Sequence, residues 1–436
     1  MRSRSAALAV LLLLATPAAR AAEFFVAPDG SDAAAGTKAA PFATIQRGQK
    51  AASPGDTVTI RGGTYAMKED GIALKQRIWA YVTLLDKSGE KGKPITYAAA
   101  EGERPVFDFS AVKPDGMRVH AFQVTGSWLH IKGLEVVGVQ VTAKGHTQSI
   151  CFASDGSHNV FERLSMHDGM AIGLYHVKGS DNLFLNCDAW NNHDTVSENG
   201  KGGNSDGFGC HPTKGSTGNV FRGCRAWYNS DDGFDCISAH ESVTFEGCWA
   251  MYNGTNAKGE RLADGNGFKA GGYGSTPVDR LPNPIPRHVV RNCLAVGNRA
   301  SGFYSNHHLG GSDWTNNSAF RNGANFNMLC RLADNKTDVD GFGHKLRSNL
   351  AYGKGGGIVK IDRTKCDAAA NSFDLPDLKL ADKDFLGLDE AELLKPRKPD
   401  GGLPDVAFLH LAPGSAAIGK GENGADLGAF PAGAKR

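Results

Sequence analysis

Four aspartates and one lysine occupy related positions around three Gly-Phe pairs in the middle of this 436-residue chain: Asp206, Asp231, Asp232, Asp235 and Lys269. If folding brings these segments side by side, the carboxylates repel one another and require either a bound cation or raised pKa values. A hard divalent ion with oxygen ligands meets this requirement, and Ca²⁺, which accepts about 6 to 8 oxygens, is the expected cofactor. The alternative is that Asp-Gly pairs are ordinary turn residues, which accounts for Asp206 and Asp232 but leaves Asp231 and Asp235 unexplained.

A short repeat predicts how those segments are positioned. The pattern is Cys or Asn, any residue, Ala, an apolar or aromatic residue, any residue, then Asn, and its copies begin at residues 187, 224, 248, 293 and 317, with a weaker one at 349. The copies at 224 and 248, like those at 293 and 317, lie 24 residues apart. Short strands and turns at this period are typical of one coil of a parallel β-helix. We therefore expect an all-β, right-handed, single-stranded parallel β-helix with a short capping helix and an irregular C-terminal tail.

Coils stacked about 4.8 Å apart place equivalent residues in columns. The final asparagines of the copies are expected to stack at one turn and to hydrogen-bond through their amides. They are Asn192, Asn229, Asn253, Asn298 and Asn322. Side chains alternate between the two faces of a strand, so if Phe234 and Cys236 point inward, Asp235 points outward with Lys269 directly above it. The register thus predicts four carboxylates on two neighbouring coils and the lysine on the third.

The nine cysteines are interpreted as small buried hydrophobic residues in preference to metal ligands. No pair has the CxxC spacing typical of zinc sites, and the repeat itself explains one inward column. That column consists of Cys187, Cys224, Cys248 and Cys293. Cys210 and Cys236 fall in adjacent coils, and their spacing alone allows a disulfide between them.

Composition excludes several classes of protein. The chain has 41% hydrophobic and 22% charged residues and a formal net charge of +2. This is an ordinary globular mixture, unlike a disordered chain, a coiled coil or a polytopic membrane protein, and it lacks the basic excess of a nucleic-acid binder. Arg2 and Arg4 before a short apolar run predict a signal peptide over residues 1–21, and hence a secreted or periplasmic protein without a membrane span. We also expect a monomer.

The two ends of the mature chain, residues 22–436, are predicted to close the repeat core, which we expect at about residues 57–363. Residues 41–53 are typical of a short amphipathic helix that covers the first coil. Residues 364–436 lack the repeat and are expected to wrap the far end or the flank, with one short helix over residues 388–394.

The acidic segments also carry a family resemblance. Asn204 to Phe208, Ser230 to Asp235 and Asn266 to Lys269, in that order, resemble the active-site strands of the family 9 polysaccharide lyases, the pectate lyases with a parallel β-helix. Phe25 to Asp32 and Gly428 to Phe430 are similar to the same family, although many β-helix proteins share such terminal motifs. The resemblance covers nearly the whole mature chain and holds at all five acidic and basic positions.

That resemblance implies a lyase in which the four aspartates hold Ca²⁺ and Lys269 is the base. The base would take the proton at C5 of a uronate, next to its carboxylate, while the oxygen at C4 departs by β-elimination. The first expected substrate is pectate, a polygalacturonate of plant cell walls, and the alternative is rhamnogalacturonan, whose backbone also contains galacturonate. Tyr304 and His307 are candidate substrate-binding residues near the site.

Two other functions stay open. Asn204 to Asp206 and Asp231-Asp232 also resemble the paired acids of the family 28 glycoside hydrolases, which activate water with carboxylates. The Gly-His-Gly segment of those enzymes is absent after Asp232. The other alternative is a non-catalytic surface protein whose long sheet only binds polysaccharide or another cell, and such a protein has no need for Lys269.

Overall fold

The computed structural model describes residues 21–433, and within them the strands form three long sheets that wind around one core. The first sheet consists, in order, of Glu23–Val26, Thr57–Ile60, Ile95–Ala99, Leu129–Lys132, Val160–Glu162, Leu183–Leu185, Asn219–Arg222, Val243–Glu246, Val289–Arg291, Asp313–Thr315, Lys345–Arg347 and Asp367–Ala369. The second sheet consists of Gly63–Ala66, Pro105–Asp108, Glu135–Val137, Ser165–His167, Asp188–Trp190, Arg225–Trp227, Trp249–Met251, Leu294–Val296, Ser318–Phe320 and Leu350–Tyr352.

The third sheet carries the predicted site. Its strands, in spatial order from the C-terminal end, are Ile358–Val359, Ala324–Asn327, Ser301–Tyr304, Phe268–Lys269, Phe234–Asp235, Phe208–Cys210, Ile172–His176, Ile150–Ser154, Arg118–Val124, Trp79–Leu85 and Leu74–Gln76. Among the described strands, only the last two of this sheet and the separate hairpin of Cys330–Arg331 with Asp338–Val339 pair in antiparallel fashion. All other neighbours pair in parallel, coil to coil, which confirms the predicted parallel β-helix.

Stacked phenylalanines fill the core beneath the third sheet. Phe208, Phe234, Phe268, Phe303 and Phe326 are fully buried, and successive ring centroids lie 5.0, 4.8, 5.1 and 4.8 Å apart. These spacings match the distance between neighbouring strands, so each ring rests on its equivalent in the next coil. The stack fixes which side chains of the third sheet point inward and therefore which point outward.

The predicted asparagine column is confirmed at the turn that follows the second sheet. Asn192 donates through Nδ2 to Oδ1 of Asn229 at 3.1 Å, and Asn229 donates in the same way to Asn253 at 3.1 Å. The ladder continues from Asn253 to Asn298 at 3.0 Å and on to Asn322 at 2.9 Å. Because all five amides are buried, each needs these partners, and the ladder holds neighbouring coils in one register.

The buried cysteines are packing residues, as predicted. Cys187, Cys224, Cys248 and Cys293 are fully buried in one column, and each thiol contacts a backbone carbonyl at 3.3 to 3.6 Å. All nine cysteines are free thiols, so the bridge between Cys210 and Cys236 that spacing allowed is not formed. The cysteine column therefore contributes small apolar volume and no covalent link.

The ends of the helix are covered by chain that does not repeat. An α-helix, Ile45–Ala51, lies against the first coils, and Thr44 caps it by accepting a hydrogen bond from the backbone of Arg47 at 3.1 Å. The chain after the last coil packs on the second sheet, where Phe385, Leu393 and Phe408 join one apolar cluster with Trp249.

The remaining helical elements between residues 21 and 433 are short 3₁₀ segments. They are Glu69–Gly71, Ser197–Gly200, Val278–Arg280, Ser372–Asp374, Asp382–Asp384, Glu390–Leu394 and Glu422–Gly424. Residues 388–394, where the sequence predicts a short helix, thus contain a 3₁₀ turn. The predicted signal peptide, residues 1–21, lies outside the described residues apart from Ala21. Between residues 21 and 433, the structure contains no helix with the length and apolarity needed to cross a membrane.

The asparagine ladder gives a test of the fold. Asn253→Ala removes an acceptor that the buried backbone N–H of Asn229 uses at 3.3 Å, and an unpaired buried donor costs about 1–3 kcal/mol. We therefore expect the variant to lower the free energy of unfolding by about that amount, measured by chemical denaturation. As a matched control, Asn327→Ala removes a half-buried amide with two longer hydrogen bonds, of 3.4 and 3.3 Å, and is expected to change the value by less. Equal effects of the two variants would contradict a structural role for the ladder.

Candidate active site

Three adjacent strands of the third sheet bring the acidic and basic segments together. Gly209 pairs with Asp235, and Asp235 pairs with Lys269, in parallel register. Because Phe234 and Phe268 point into the core, Asp235 and Lys269 point outward from neighbouring coils. The structure thus places Asp235 and Lys269 in one outward column, as the sequence predicts.

The turns just before these strands position two further carboxylates. Asp206 Oδ1 accepts a hydrogen bond from the backbone of Asp232 at 3.0 Å. In the next coil Asp232 Oδ1 accepts from the backbone and the side-chain amide of Asn266, at 2.6 and 2.8 Å. Each acid is thus held by the coil above it, so its position depends on coil register and not on a flexible side chain.

Three of the four predicted aspartates form a compact buried cluster. Asp206, Asp232 and Asp235 each offer a carboxylate oxygen that lies within 4.8 Å of the others, and their exposed fractions are 4%, 0% and 5%. Lys269 Nζ lies 2.9 Å from Asp232 Oδ2 and 3.1 Å from Asp235 Oδ2. The structure therefore joins the predicted lysine directly to the cluster.

Asp231 is buried nearby but is not part of this compact group. Its exposed fraction is 6%, and its Oδ1 accepts a hydrogen bond from the backbone of Asp264 at 3.3 Å. Burial, followed by the charges of Asp232 and Asp206, raises its pKa well above the usual value. Asp231 thus adds to the negative potential of the site, while its role as a direct ligand stays a prediction.

Burial and mutual repulsion dominate the electrostatics of the cluster. Burial, and then the charges of Asp235 and Asp232, raise the pKa of Asp206 well above the usual value. Burial also raises the pKa of Asp232, although Lys269 opposes this shift. Burial alone would lower the pKa of Lys269, but the surrounding carboxylates outweigh it and hold that pKa well above its ordinary value. Protein charges alone therefore leave the acids poorly neutralised and the lysine protonated.

The donor set suits a hard divalent cation. Asp232 Oδ2 is fully buried, and the one charged partner that residues 21–433 give it is the ammonium group of Lys269, 2.9 Å away. One ammonium group does not neutralise three buried carboxylates, and uncompensated charge is costly inside a protein. Oxygen donors from three carboxylates are the ligands that Ca²⁺ and Mg²⁺ prefer, so the triad could hold such an ion.

The two candidate substrate-binding residues lie on the C-terminal side of Lys269. Tyr304 pairs with Lys269 in the next strand and is half-buried, which raises the pKa of its phenol to about 12. The ring of His307 lies 6.0 Å from that of Tyr304, and its Nδ1 lies 2.8 Å from Asp338 Oδ1. The structure thus places Tyr304 next to the lysine and His307 next to Tyr304, and their contacts with substrate stay predictions.

His211 and Asn266 belong to the site but are not among the predicted site residues. His211 stacks on Tyr175 with ring centroids 4.6 Å apart; burial lowers its pKa, which the charge of nearby Asp235 partly offsets. His211 follows a strand at a position that no other coil repeats, so column arguments do not single it out. Asn266, by contrast, stands in the Asp206 and Asp232 column, and that column position is the signal that could have identified it.

Comparisons with known proteins agree with this geometry. Residues 24–350 match a family model described as the Pel9A-like right handed beta helix region, and residues 362–421 match one described as Rhamnogalacturonan lyase-like, C-terminal. Pectate lyase L of Dickeya chrysanthemi is 33% identical over 93% of this chain and 90% of its own length. Pectate lyase PEL9 of Emericella nidulans is 30% identical over 91% of this chain and 94% of its own length.

Solved structures extend the similarity to the whole fold. A structure titled Rhamnogalacturonan lyase has 45% identity and a TM-score of 0.88, covering 93% of this chain and 99% of its own. The structure of pectate lyase Pel9A has 31% identity and a TM-score of 0.74, covering 94% and 96% of the two chains. These matches confirm the resemblance noted in the sequence and the right hand of the helix: the chain belongs to the Pel9A-like family of right-handed parallel β-helices and is a polysaccharide lyase.

Proposed function

We propose that this protein is a calcium-dependent lyase that cleaves a galacturonate-containing pectic backbone by β-elimination, with rhamnogalacturonan as its main substrate. One observation carries the proposal. A nearly buried lysine, Lys269, lies within about 3 Å of two members of a buried carboxylate triad. That arrangement combines a base and a cation site on one outward face of the third sheet.

The arrangement favours elimination over hydrolysis. A glycoside hydrolase needs two carboxyl groups on either side of the scissile bond, about 5–9.5 Å apart, so that one protonates the leaving oxygen and the other attacks or activates water. Here Asp206, Asp232 and Asp235 form a single cluster, with ligand oxygens within 4.8 Å of one another. The outward group of the next coil is a lysine. An amine can remove the proton next to a carboxylate, and a cation can stabilise the negative charge that forms there.

The choice of substrate changes from the first expectation drawn from the sequence. Polygalacturonate was the first expectation and rhamnogalacturonan the alternative, and the curated relatives are named pectate lyases. Rhamnogalacturonan is favoured here because the structure with that title has higher identity and a higher TM-score than Pel9A, and because the C-terminal segment matches a rhamnogalacturonan lyase-like model. Polygalacturonate is the second candidate substrate.

The proposed reaction assigns one role to each group. Neutral Lys269 Nζ takes the proton at C5 of the uronate and becomes an ammonium group, and the electron pair of that C–H bond forms the C4–C5 double bond. The C4–O bond breaks with its electrons on the departing sugar oxygen, which takes a proton from water. Asp206, Asp232 and Asp235 would hold Ca²⁺. Once bound, that ion supplies positive charge that stabilises the negative uronate and lowers the pKa of Lys269. Asn266 keeps Asp232 in place through two hydrogen bonds.

Lys269→Ala tests the reaction directly. Wild-type protein is expected to form unsaturated uronate products from both polymers, faster from rhamnogalacturonan, with the double bond followed by its ultraviolet absorbance. Loss of a general base typically costs about 10²–10⁴-fold in rate, so the variant is expected to lose at least that much on both polymers while it still folds and binds calcium.

Lys345→Ala is the matched control, since Lys345 is exposed in a strand of the first sheet, and it is expected to keep full activity. Cleavage by wild-type protein without a double bond in the product would show hydrolysis and contradict the proposal. A fully active Lys269→Ala variant would remove Lys269 from the mechanism.

Removal of the cation gives a second test with a readout other than activity. Calcium at 100 times its dissociation constant stabilises a protein by about 2.7 kcal/mol when it binds only the folded state. Chelator-treated protein is therefore expected to be inactive, to regain activity with Ca²⁺, and to unfold at a higher temperature after Ca²⁺ is added. Asp206→Asn is expected to shrink that thermal shift. Full activity after chelation, or the same thermal shift in wild type and Asp206→Asn, would contradict the metal site.

The dependence of rate on pH follows from the state of Lys269. Only the neutral amine accepts a proton, and the carboxylates hold the pKa of this lysine high, so the group is mostly protonated at neutral pH. Below the pKa, each added pH unit increases the neutral fraction about tenfold. Bound calcium is expected to lower this pKa but to leave it above neutrality. At saturating calcium, kcat/KM is therefore expected to rise from neutral pH up to that pKa and then to level off, measured by initial rates while circular dichroism confirms folding. A rate that falls steadily above neutrality would exclude lysine as the base.

A further inference from the structure

We propose that a second sugar-binding site lies on the third sheet, on the N-terminal side of the carboxylate cluster, and that it takes a uronate unit of the same polysaccharide chain. The inference rests on the proposed function and deepens it, because it states how the enzyme holds substrate far from the bond that it cleaves. Three observations support the inference: a cavity on the third sheet, the charged side chains that line this cavity, and the sheet surface that connects the cavity to Lys269.

The cavity is connected to the cluster by one column of the sheet. Lys269 pairs with Asp235, Asp235 with Gly209, Gly209 with Tyr175, and Tyr175 with Ala153. With coils about 4.8 Å apart, Tyr175 lies three coils, or about 14 Å, from Lys269. Tyr175 and Ala153 both line the cavity. A chain that runs along the helix axis from the lysine therefore reaches it after a few sugar units.

The cavity has the size and lining of a site for one or two sugar rings. Its volume is about 290 Å³, and aromatic, basic and amide side chains surround it. The residues that matter most are Trp79, Tyr81, Arg118, His120, Tyr175 and Lys178. Half-buried aromatic side chains can cover the apolar faces of sugar rings, while polar groups around them fix the orientation of the ring.

Charge points to an anionic ligand. Arg118 and Lys178 line the cavity, and neither forms an ion pair with a carboxylate of residues 21–433. Among the described residues, the guanidinium of Arg118 donates one hydrogen bond, of 3.3 Å, to the carbonyl of His146. Asp155 is the acid in the lining, and it already accepts a hydrogen bond from Gln123 at 2.8 Å. Two cations thus face one engaged carboxylate, and the planar guanidinium of Arg118 matches the geometry of a uronate carboxylate.

Gly209 makes room for two aromatic rings on the sheet surface between the two sites. A Cβ atom at this position would lie 2.6 Å from the ring of Tyr175 and 2.8 Å from Nε2 of His211. Any other residue would push these two stacked rings aside, whereas glycine lets them lie flat next to Asp235. The surface between Lys269 and the cavity is therefore formed, next to Asp235, by the rings of Tyr175 and His211, which lie over Gly209.

A distant uronate site has a consequence for the mode of action. Substrate that fills both sites must extend over several sugars beyond the cleaved bond, so long chains are bound better than short ones. This favours attack within a chain over removal of terminal units. The effect of Arg118 should then depend on substrate length, which a purely structural role would not produce.

Arg118→Gln tests the inference in two polymers and at two lengths. For long rhamnogalacturonan and long polygalacturonate, KM is expected to rise about tenfold with kcat unchanged, which is typical for loss of one charged hydrogen bond. For the shortest oligosaccharide that wild type cleaves, KM is expected to stay the same. Lys178→Gln repeats the test at an exposed position, where folding is not at stake. The polymer that shows the larger effect identifies the source of the uronate.

Arg222→Gln is the matched control. Arg222 is an exposed strand residue of the first sheet, paired with Glu246, so this substitution removes the same charge from another face of the protein. Affinity electrophoresis in gels that contain each polymer gives a readout without catalysis, with all variants also made in a Lys269→Ala background. If Arg118→Gln is retarded less than Arg222→Gln, the second site is supported. This holds even if wild type cleaves neither polymer, because the absence of cleavage contradicts the proposed function and not the second site. Unchanged KM and retardation, or equal losses on short and long substrates, would overturn the inference.

Discussion

Coil register is the constraint on which the rest of this structure depends. The buried asparagine amides bond from coil to coil, and the phenylalanine rings beneath the third sheet stack at the same spacing. A slip of one residue in any coil would break both and turn every side chain of that strand to the opposite face. The outward positions of Asp235 and Lys269 are thus set by inward groups that take no part in chemistry.

The second determinant of the site is the free-energy cost of placing three carboxylates close together in a buried position. Asp206, Asp232 and Asp235 are nearly inaccessible to water, and burial raises the pKa of the first two. Such a cluster is stable only when positive charge is close, and Lys269 supplies part of it. Because the same carboxylates contact the lysine and offer ligands to a cation, the protonation of Lys269 and the occupancy of the cation site must be coupled. This coupling gives the lysine a means to change from a charged partner into a base.

Much of this could be predicted from the sequence, because a repeat converts spacing into columns. Alignment of the coils on their Gly-Phe pairs is enough to place Asp235 beside Lys269, and the repeated pattern is enough to stack the asparagines from Asn192 to Asn322. Spacing does not fix the direction of a side chain within a turn, so it could not show that the carboxylate of Asp231 lies apart from the triad. The cavity from Trp79 to Lys178 was also missed, since the coils that form it precede the first clear copy of the pattern at residue 187. The order of the two candidate substrates rests on the similarity to solved structures and on the match of the C-terminal segment, and no motif of the site decides it.

The most direct test of the coupling between lysine and cation is the pKa of Lys269 itself. It can be measured by carbon-13 NMR on protein labelled at the lysine side chains, with the resonance assigned by its loss in Lys269→Arg. The account predicts a pKa above the ordinary lysine value in calcium-free protein, where the carboxylates face the ammonium group alone, and a marked fall when calcium is added. The same pKa with and without calcium would contradict it.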